Sequence, residues 1–238
     1  MKERPNEAAA SASFEFDALN EAVNYRKALI KEFSPSLQGR VIEIGAGIGQ
    51  MTQMLRTVPS VKYLQSVEPD ADFCNKFRAA LPGQPLIEGI ISDVPGGTDW
   101  DGILSINVLE HIREDEAELR SYHKLLRKNN GLINLFVPAR QEIYAPLDKD
   151  FGHHRRYSKP ELRKKLHDAG FEIVRLRYYN WVGYFAWWAN FCVLQKRGFS
   201  VSSVRLFDRH IFPWVYGMES NLMAPPFGQS LLAVAKAV

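Results

Sequence analysis

The chain has 238 residues, 46% of them hydrophobic, so one compact domain spanning 1–238 is expected. Thirty basic residues against 27 acidic ones give a net charge of +3. This near balance argues against a nucleic-acid-binding domain, which usually carries a clustered basic excess. Cys74 and Cys192 are far apart and form no CxxC pair, which disfavours disulfides and metal binding and favours a reducing, cytoplasmic compartment.

The first 19 residues carry charges but no apolar stretch typical of a signal peptide, so we expect a flexible lead-in there. Beyond it, apolar spacing and turn residues predict alternating helices and strands. Helices are predicted at about 20–33, after Gly49, and at about 71–80, 114–126 and 159–169. Strands are predicted at about 40–44, 63–67, 85–88, 102–106, 132–137, 171–178 and 230–236. Such alternation predicts an α/β protein with an open, mostly parallel sheet and helices on both faces.

A glycine-rich segment, Val41-Ile42-Glu43-Ile44-Gly45-Ala46-Gly47-Ile48-Gly49, follows the first predicted strand directly. A dinucleotide-binding GxGxxG loop would place glycine at position 50, where this chain has Gln50. Side chains at Gly45 or Gly47 would occupy the space of a closely bound ligand, and the turn itself needs glycine's backbone freedom. The alternative is a purely structural glycine turn of another α/β protein.

Polar residues also follow the next predicted strands. Glu68 ends the second strand about 20 residues after the glycine loop, where a carboxylate can accept both hydroxyl protons of a ribose. Without the upstream loop, it would be read as a solvated loop carboxylate. Asn107 ends the fourth strand, at the edge where open α/β sheets bind ligands.

The segment 101–112, a hydrophobic strand ending in Asn-Val-Leu-Glu-His, resembles the fourth-strand signature of small-molecule class I S-adenosylmethionine-dependent methyltransferases. The resemblance implies a Rossmann-like, seven-stranded, mostly parallel sheet with an antiparallel last strand. It implies S-adenosylmethionine as cofactor, S-adenosylhomocysteine as product, and no metal. Asp93, with Ser92 as an alternative, would pair with the adenine amino group. The implied cofactor-binding residues are Tyr25, Glu43, Gly45, Ala46, Gly47, Gly49, Glu68, Pro69, Asp93 and Asn107.

Four further segments are similar to one bacterial subgroup of the broad methyltransferase domain family. They are Asn24–Arg26, Gly152–Tyr157 (GHHRRY), Lys159–Phe171 and Pro225–Ser230. The match covers about residues 20 to 236 and is specific for fold and cofactor but weak for substrate. The subgroup is suspected of acting on glycolipid, polysaccharide or secondary-metabolite acceptors, so a small-molecule or lipid-linked acceptor is expected.

A hydroxyl acceptor must lose a proton, and histidine is the usual base near neutral pH. His153, which holds the Gly-His position of the subgroup, is the first catalytic candidate. Tyr157 in the same loop and His111 after the fourth strand are the others. The competing interpretation is that His153 and Arg156 only brace the loop by hydrogen bonds.

Three further residues of this loop, His154, Arg155 and Arg156, are candidate substrate-binding residues. The two guanidinium groups could hold an anionic acceptor such as a phosphate or carboxylate. A solvated basic loop is the plainer explanation.

An aromatic-rich insertion at 179–228 separates the last two predicted strands. Its most apolar part, 181–195, is shorter than the roughly 20 residues that cross a bilayer. Trp181 and Tyr184 are candidate acceptor contacts, and the tryptophans before Lys196 and Arg197 suggest an apolar acceptor or contact with a membrane surface. Most of these aromatic residues could instead fill the core of a cap, with one or two lining the pocket. We expect a monomer or homodimer.

Other functions fit less well. The chain lacks the Asn/Asp-Pro-Pro-aromatic motif of many enzymes that methylate planar nitrogens in nucleic acids or proteins. It lacks the clustered acidic ligands of catechol-type enzymes and the Tyr-x-x-x-Lys pair of oxidoreductases. The sequence therefore favours O-methylation by in-line displacement, with N- or C-methylation of a small molecule as the alternative and a non-catalytic ligand-binding relative still open.

Overall fold

A seven-stranded sheet forms the centre of the computed structural model, which describes residues 21–97, 99–198, 200–221 and 225–238. The strands are β1 (Gly39–Ile44), β2 (Val61–Glu68), β3 (Leu86–Glu88), β4 (Gly102–Ile106), β5 (Leu132–Pro138), β6 (Phe171–Tyr179) and β7 (Ser230–Ala237). Their order is β3-β2-β1-β4-β5-β7-β6. Strand β7 is antiparallel to both of its neighbours, and the other pairs are parallel. The predicted fold is confirmed; the predicted lead-in at 1–19 lies outside the described residues.

Helices cover both faces of this sheet. They are α1 (Val23–Phe33), α2 (Gln50–Leu55), α3 (Ala71–Ala80), α4 (Asp115–Leu126), α5 (Pro146–Asp150), α6 (Lys159–Asp168), α7 (Trp181–Trp187), α8 (Val201–Leu206) and α9 (Phe212–Asn221). Side chains of β1 alternate between two cores, because successive residues of a strand point to opposite faces. Ile42 packs in the core with α4 and α6, and Val41 packs in the core with α1.

The start of α6 shows how local sequence sets an element's bounds. Ser158 accepts a hydrogen bond from the backbone of Glu161, whose side chain reaches back to the backbone of Ser158. This capping box fixes the first turn. Gly170, with φ of +94°, follows the last turn in the left-handed conformation that glycine adopts readily. The predicted end of this helix is confirmed to within one residue.

The insertion between β6 and β7 forms a helical cap. Helix α7 continues into a π-helical segment, Trp188–Val193, and α8 continues into another, Phe207–Ile211. The buried Asp208 accepts hydrogen bonds from the backbone N–H groups of Asn24 (2.9 Å) and Tyr25 (2.8 Å), so the cap is tied to the first turn of α1. In the described part of the chain, no helix is both long and apolar enough to span a bilayer.

Candidate active site

Two cavities meet at the carboxyl ends of the parallel strands. The smaller, of about 360 Å³, lies against the glycine loop after β1 and the end of β2. The larger, of about 870 Å³, lies beneath the cap. Tyr25, Asn107 and Phe151 line both cavities, so a ligand in one can touch a ligand in the other. This edge of the sheet is where ligands bind in open α/β folds.

Backbone geometry explains the glycines of the loop. Gly45 and Gly47 have φ of +72° and +54°, values that other residues rarely adopt. The N–H of Gly47 donates to Oε2 of Glu68 at 2.8 Å. A Cβ atom on Gly45 would lie 2.3 Å from Cγ2 of Val108. Gly45 is thus required by the backbone conformation of the turn, as the sequence predicts, and also by packing against Val108, which the sequence did not predict.

Two buried carboxyl groups lie in the wall of the smaller cavity. Oε2 of Glu43 accepts hydrogen bonds from the hydroxyls of Thr52 (2.5 Å) and Ser66 (3.1 Å). Burial raises the pKa of Glu43 to about 7. The Glu68 carboxyl accepts backbone N–H groups of Gly47 and Asp70, and burial raises its pKa as well. Each of these carboxyl groups could therefore be stabilised by a cationic or hydroxyl-bearing ligand in the cavity.

Other predicted cofactor residues divide into two sets. Ala46 and Pro69 line the smaller cavity with Gly45, whereas Gly47 and Gly49 are not among its lining residues. Asp93 is exposed, its carboxylate accepts a hydrogen bond from the N–H of Ile90 at 2.8 Å, and it is not among the lining residues. The structure brings Phe73, in the first turn of α3, to this cavity instead. No sequence feature distinguished Phe73 from an ordinary helix residue.

A buried ionic group positions His153 in the wall of the larger cavity. Oδ1 of the fully buried Asp148, in α5, accepts from Nδ1 of His153 and from Nε of Arg156, each at 2.9 Å. Burial would raise the pKa of Asp148, but these two partners hold it below its ordinary value. The ionised carboxylate selects the His153 tautomer with its proton on Nδ1, so Nε2 carries a lone pair.

The Nε2 side of His153 faces two more polar groups. Nε2 lies 4.0 Å from Oε1 of the fully buried Glu110, and the ring centroids of His153 and His111 are 4.7 Å apart. Burial, with the neighbouring histidines, lowers the pKa of His111 to about 4, so this imidazole is neutral at pH 7. Since Glu110 and His153 line the larger cavity and His111 lines the smaller one, the group lies where the cavities meet.

The comparison with protein families decides the class of this site. The family model described as a methyltransferase domain matches residues 18–176, which include the glycine loop, Glu68 and His153. The chain belongs to this family. It is an S-adenosylmethionine-dependent methyltransferase. No curated protein sequence matches it.

Solved structures share the fold of this methyltransferase. A complex between the Trm112 methyltransferase activator and a methyltransferase from Haloferax volcanii matches with a TM-score of 0.64 and 16% identity, covering 99% of each chain. An S-adenosylmethionine-dependent methyltransferase from Mesorhizobium loti matches with a TM-score of 0.56 and 16% identity, covering 87% of this chain and 95% of that one.

A third similar structure contains a bound substrate together with S-adenosylhomocysteine. The 1,6-didemethyltoxoflavin-N1-methyltransferase of Burkholderia thailandensis, with 1,6-didemethyltoxoflavin and S-adenosylhomocysteine bound, matches with a TM-score of 0.59 and 17% identity. The match covers all of this chain and 92% of that one. At these identities the similarity shows the fold alone.

The remaining residues of the GHHRRY segment lie away from the cavities of the methyltransferase. Tyr157 is buried, and its hydroxyl hydrogen-bonds Oδ2 of Asp115 at 2.9 Å; burial and that carboxylate raise its pKa. Arg155 pairs with the same Asp115 at 2.7 Å, and the His154 side chain is exposed. None of the three is a lining residue. The sequence predicted Tyr157 as a catalytic residue, but the structure places it in the lining of neither cavity, because its side chain braces the loop against α4.

Arg156 does line the larger cavity, but its charge is already neutralised. Its guanidinium group bonds to Asp148 and lies over the ring of Trp187, 4.3 Å from the ring centroid. The side chain is 2% exposed. This geometry holds His153 and the cap together and leaves Arg156 poorly suited to bind an acceptor anion.

One face of α7 and its π-helical continuation contributes to the larger cavity. Gly183, Trp187 and Phe191 recur at helical spacing and line it. Trp181 and Tyr184 are not lining residues. The Trp181 ring lies edge-on to Phe185, and Tyr184 packs against Phe185 and Phe227. The orientation of α7 therefore places Trp187 and Phe191 in the cavity wall, where the sequence predicted Trp181 and Tyr184.

Proposed function

We propose that this methyltransferase transfers the methyl group of S-adenosylmethionine to a hydroxyl oxygen of an apolar or amphipathic small molecule. The observation that carries the proposal is the position of His153. Its Nδ1 is fixed by Asp148, and its other nitrogen faces the junction of the two cavities. An imidazole so oriented can accept the proton of a hydroxyl bound in the larger cavity.

The smaller cavity supports the placement of the cofactor. The Glu43 carboxylate suits the ammonium group of the methionyl part, and Glu68 suits the two ribose hydroxyls. The left-handed turn at Gly47 would let the ligand approach the backbone closely. The cofactor methyl group would then point past Asn107, which lines both cavities.

The reaction needs alignment and one proton acceptor. The acceptor oxygen attacks the methyl carbon, the carbon–sulfur bond breaks as the carbon–oxygen bond forms, and the bonding pair stays on sulfur to give S-adenosylhomocysteine. Nε2 of His153 takes the hydroxyl proton in the protein as it stands. Holding donor and acceptor in line supplies most of the rate enhancement, because the sulfonium methyl is already activated.

The walls of the larger cavity support an apolar or amphipathic acceptor. Phe136, Trp187, Phe191 and Phe207 contribute aromatic surface, and the cavity could enclose a drug-sized molecule. Leu206 lines the cavity and is also exposed, and Trp214 in the same cap is 79% exposed. These outer apolar residues favour peripheral contact with a membrane, from which a lipid-linked acceptor could enter.

The test measures methyl transfer from methyl-labelled S-adenosylmethionine to a panel of phenols, glycolipids and lipid-linked alcohols, with amines of matched size as a second arm. The expected result is labelled ether from a hydroxyl compound. Product from amines alone would contradict the proposal, because an amine can lose its proton after transfer and does not need His153. Flotation with lipid vesicles tests membrane contact, and Trp214→Ala should reduce co-flotation while leaving S-adenosylhomocysteine binding unchanged.

A further inference from the structure

Three potential metal ligands converge where the two cavities meet. The ligand atoms of Glu110, His111 and His153 all lie within 4.8 Å of one another. Glu110 is fully buried and His153 is 8% exposed. Two imidazoles and one carboxylate on a cavity wall form a common coordination set for first-row transition metals. If His153 acts only as the base that accepts the hydroxyl proton, Glu110 and His111 have no role in the reaction.

The orientation of His153 is the strongest evidence for a bound ion. Its Nδ1 bonds to Asp148 at 2.9 Å, while its buried Nε2 makes no hydrogen bond to any residue that the structure describes. Histidines that bind metals usually carry such a carboxylate on the opposite ring nitrogen, which fixes the tautomer and directs the lone pair at the ion. A buried nitrogen aimed at a carboxylate but outside bonding distance is otherwise unfavourable.

The spacing of the ligand atoms also fits an ion. Nε2 of His153 and Oε1 of Glu110 are 4.0 Å apart, which is too long for a hydrogen bond. Two atoms that each contact a divalent ion at about 2.1 Å can be at most about 4.2 Å apart. An ion between these two atoms could contact both of them. A small rotation of the His111 side chain would bring its imidazole within bonding distance of the same ion.

Local charge favours a cation at this position. Asp148 is neutralised by the buried Arg156, with which it shares a 2.9 Å contact. Glu110 then supplies a carboxylate in a region of low exposure, where electrostatic attraction to a cation is strong.

We propose that Glu110, His111 and His153 bind a divalent transition-metal cation such as Zn²⁺, Fe²⁺ or Mn²⁺. Three protein ligands leave coordination positions open, as in catalytic metal sites. Glu110 and His153 line the larger cavity, so an open position faces the acceptor. The isolated cysteines and the lack of clustered acidic residues predicted no metal, whereas two of the three ligands here are imidazoles.

The cation's role in the reaction rests on the proposed function. An acceptor hydroxyl bound to the cation becomes more acidic, as metal-bound water does. In the metal-loaded protein the hydroxyl proton would leave to solvent and His153 would act as a ligand, whereas in the metal-free protein Nε2 of His153 remains the base. The methyl transfer itself is unchanged.

The first test measures binding of Co²⁺ and Zn²⁺ to chelator-stripped protein from which any polyhistidine tag has been removed. The expected result is one ion per chain, with visible Co²⁺ absorption bands of an imidazole-ligated site. His111→Ala, His153→Ala and the isosteric Glu110→Gln should each weaken binding at least about tenfold. His167→Ala, which removes an imidazole that is 85% exposed, should leave binding unchanged.

Two outcomes overturn the proposal: no binding at one equivalent of metal, or binding that survives all three ligand substitutions in proteins shown to be folded by circular dichroism. The second test separates this proposal from the proposed function. S-adenosylhomocysteine affinity and turnover are measured with and without chelator. Full turnover in the stripped protein would overturn the cation's role and leave O-methylation with His153 as base. Failure of every form to bind S-adenosylhomocysteine would instead contradict the proposed cofactor site, whatever the metal result.

Discussion

The smaller and the larger cavity are built by different means. The smaller cavity uses neighbouring strand ends, with the glycine loop, Glu43 and Glu68 all within the first 70 residues. The larger cavity draws Asn107, His153 and Phe207 from three segments spread over about 100 residues of the chain. A cavity made by consecutive βα units can be read from local sequence, whereas one made by a loop and a cap depends on how distant helices rotate and pack.

The two cavities also differ in how their charged groups are stabilised. Among the residues that the structure describes, Glu43 and Glu68 accept hydrogen bonds from hydroxyl and backbone groups alone, so each carboxyl group can still bind a cationic or hydroxyl-bearing ligand. Asp148 is instead neutralised by Arg156 and accepts a hydrogen bond from His153. Substitutions in the wall of the smaller cavity should therefore change ligand affinity. Substitutions around Asp148, in the larger cavity, should change turnover and stability.

The largest effect should come from Gly47→Val. A β-branched residue is disfavoured at φ of +54°, and the change would displace the N–H that bonds Glu68. Binding of S-adenosylhomocysteine, measured by calorimetry, should fall below detection. Gly83→Val is the matched control, since Gly83 has φ of +82° and nothing near its Cβ position. Retained affinity in the folded Gly47 variant would refute the loop's assignment.

Next in size is His153→Ala, which removes the group proposed to receive the acceptor proton. Turnover should fall by about 100- to 10,000-fold, the usual range for a general base, while S-adenosylhomocysteine affinity changes little. Single-turnover kinetics with the identified acceptor gives the measurement. His167→Ala, on the exposed end of α6, should keep wild-type turnover. If the His153 variant turns over normally, His153 only braces the loop.

Asp148→Ala should reduce the free energy of unfolding by about 3–5 kcal/mol, because it leaves the buried Arg156 charge without its partner. Urea denaturation measures the change. Asp150→Ala, in the same helix, breaks an exposed ion pair with Arg197 and should cost no more than about 1 kcal/mol. Equal losses of unfolding free energy in the two variants would show that the buried pair of Asp148 and Arg156 does not stabilise the wall of the larger cavity.

Glu68→Ala should weaken cofactor binding by about 1–3 kcal/mol, the scale of lost hydrogen bonds to a charged group. The matched control is Glu88→Ala, because Glu88 is Glu68's register partner on β3 but is exposed and pairs with Arg78. Titration calorimetry with S-adenosylhomocysteine compares the two. An unchanged affinity in the Glu68 variant would move the ribose contact elsewhere.

The smallest effect is a pH dependence of cofactor affinity. Since the pKa of Glu43 is raised to about 7 in the empty protein, a ligand ammonium group should bind more tightly as the carboxyl ionises. The dissociation constant should fall about tenfold from about pH 6 to about pH 8, and Glu43→Gln should abolish that slope. Without ligand, the protonated carboxyl favours the folded state: this contribution is present below about pH 4.5 and is lost as the pH rises through about 7. A flat affinity profile in the wild type would exclude Glu43 from ammonium binding.

Much of the fold could be predicted from sequence because its signals are local. The bounds of β4 and α3 agree with the prediction residue for residue, since periodic apolar runs end at turn residues in both. The seven strands and the antiparallel β7 are confirmed as well. Both came from the resemblance to a known family, because periodicity alone does not set strand direction.

The acceptor side shows what local signals miss. Asp148 had no visible role in the sequence, and only folding brings α5 against His153. Trp181 and Trp187 are equivalent by composition, yet the rotation of α7 turns only Trp187 to the cavity. The role of Glu110 also depends on this long-range packing, because its partner at 4.0 Å, His153, is more than 40 residues away.

The hydrogen bonds from α1 to Asp208 have a consequence for ligand exchange. Asp208 belongs to the cap, and the backbone it holds includes Tyr25, which borders both cavities. If the cap lifted to release a product, these hydrogen bonds would break and α1 would lose its attachment beside the smaller cavity. Filling either cavity would then favour the attached state, and binding in one cavity would strengthen binding in the other by the same factor.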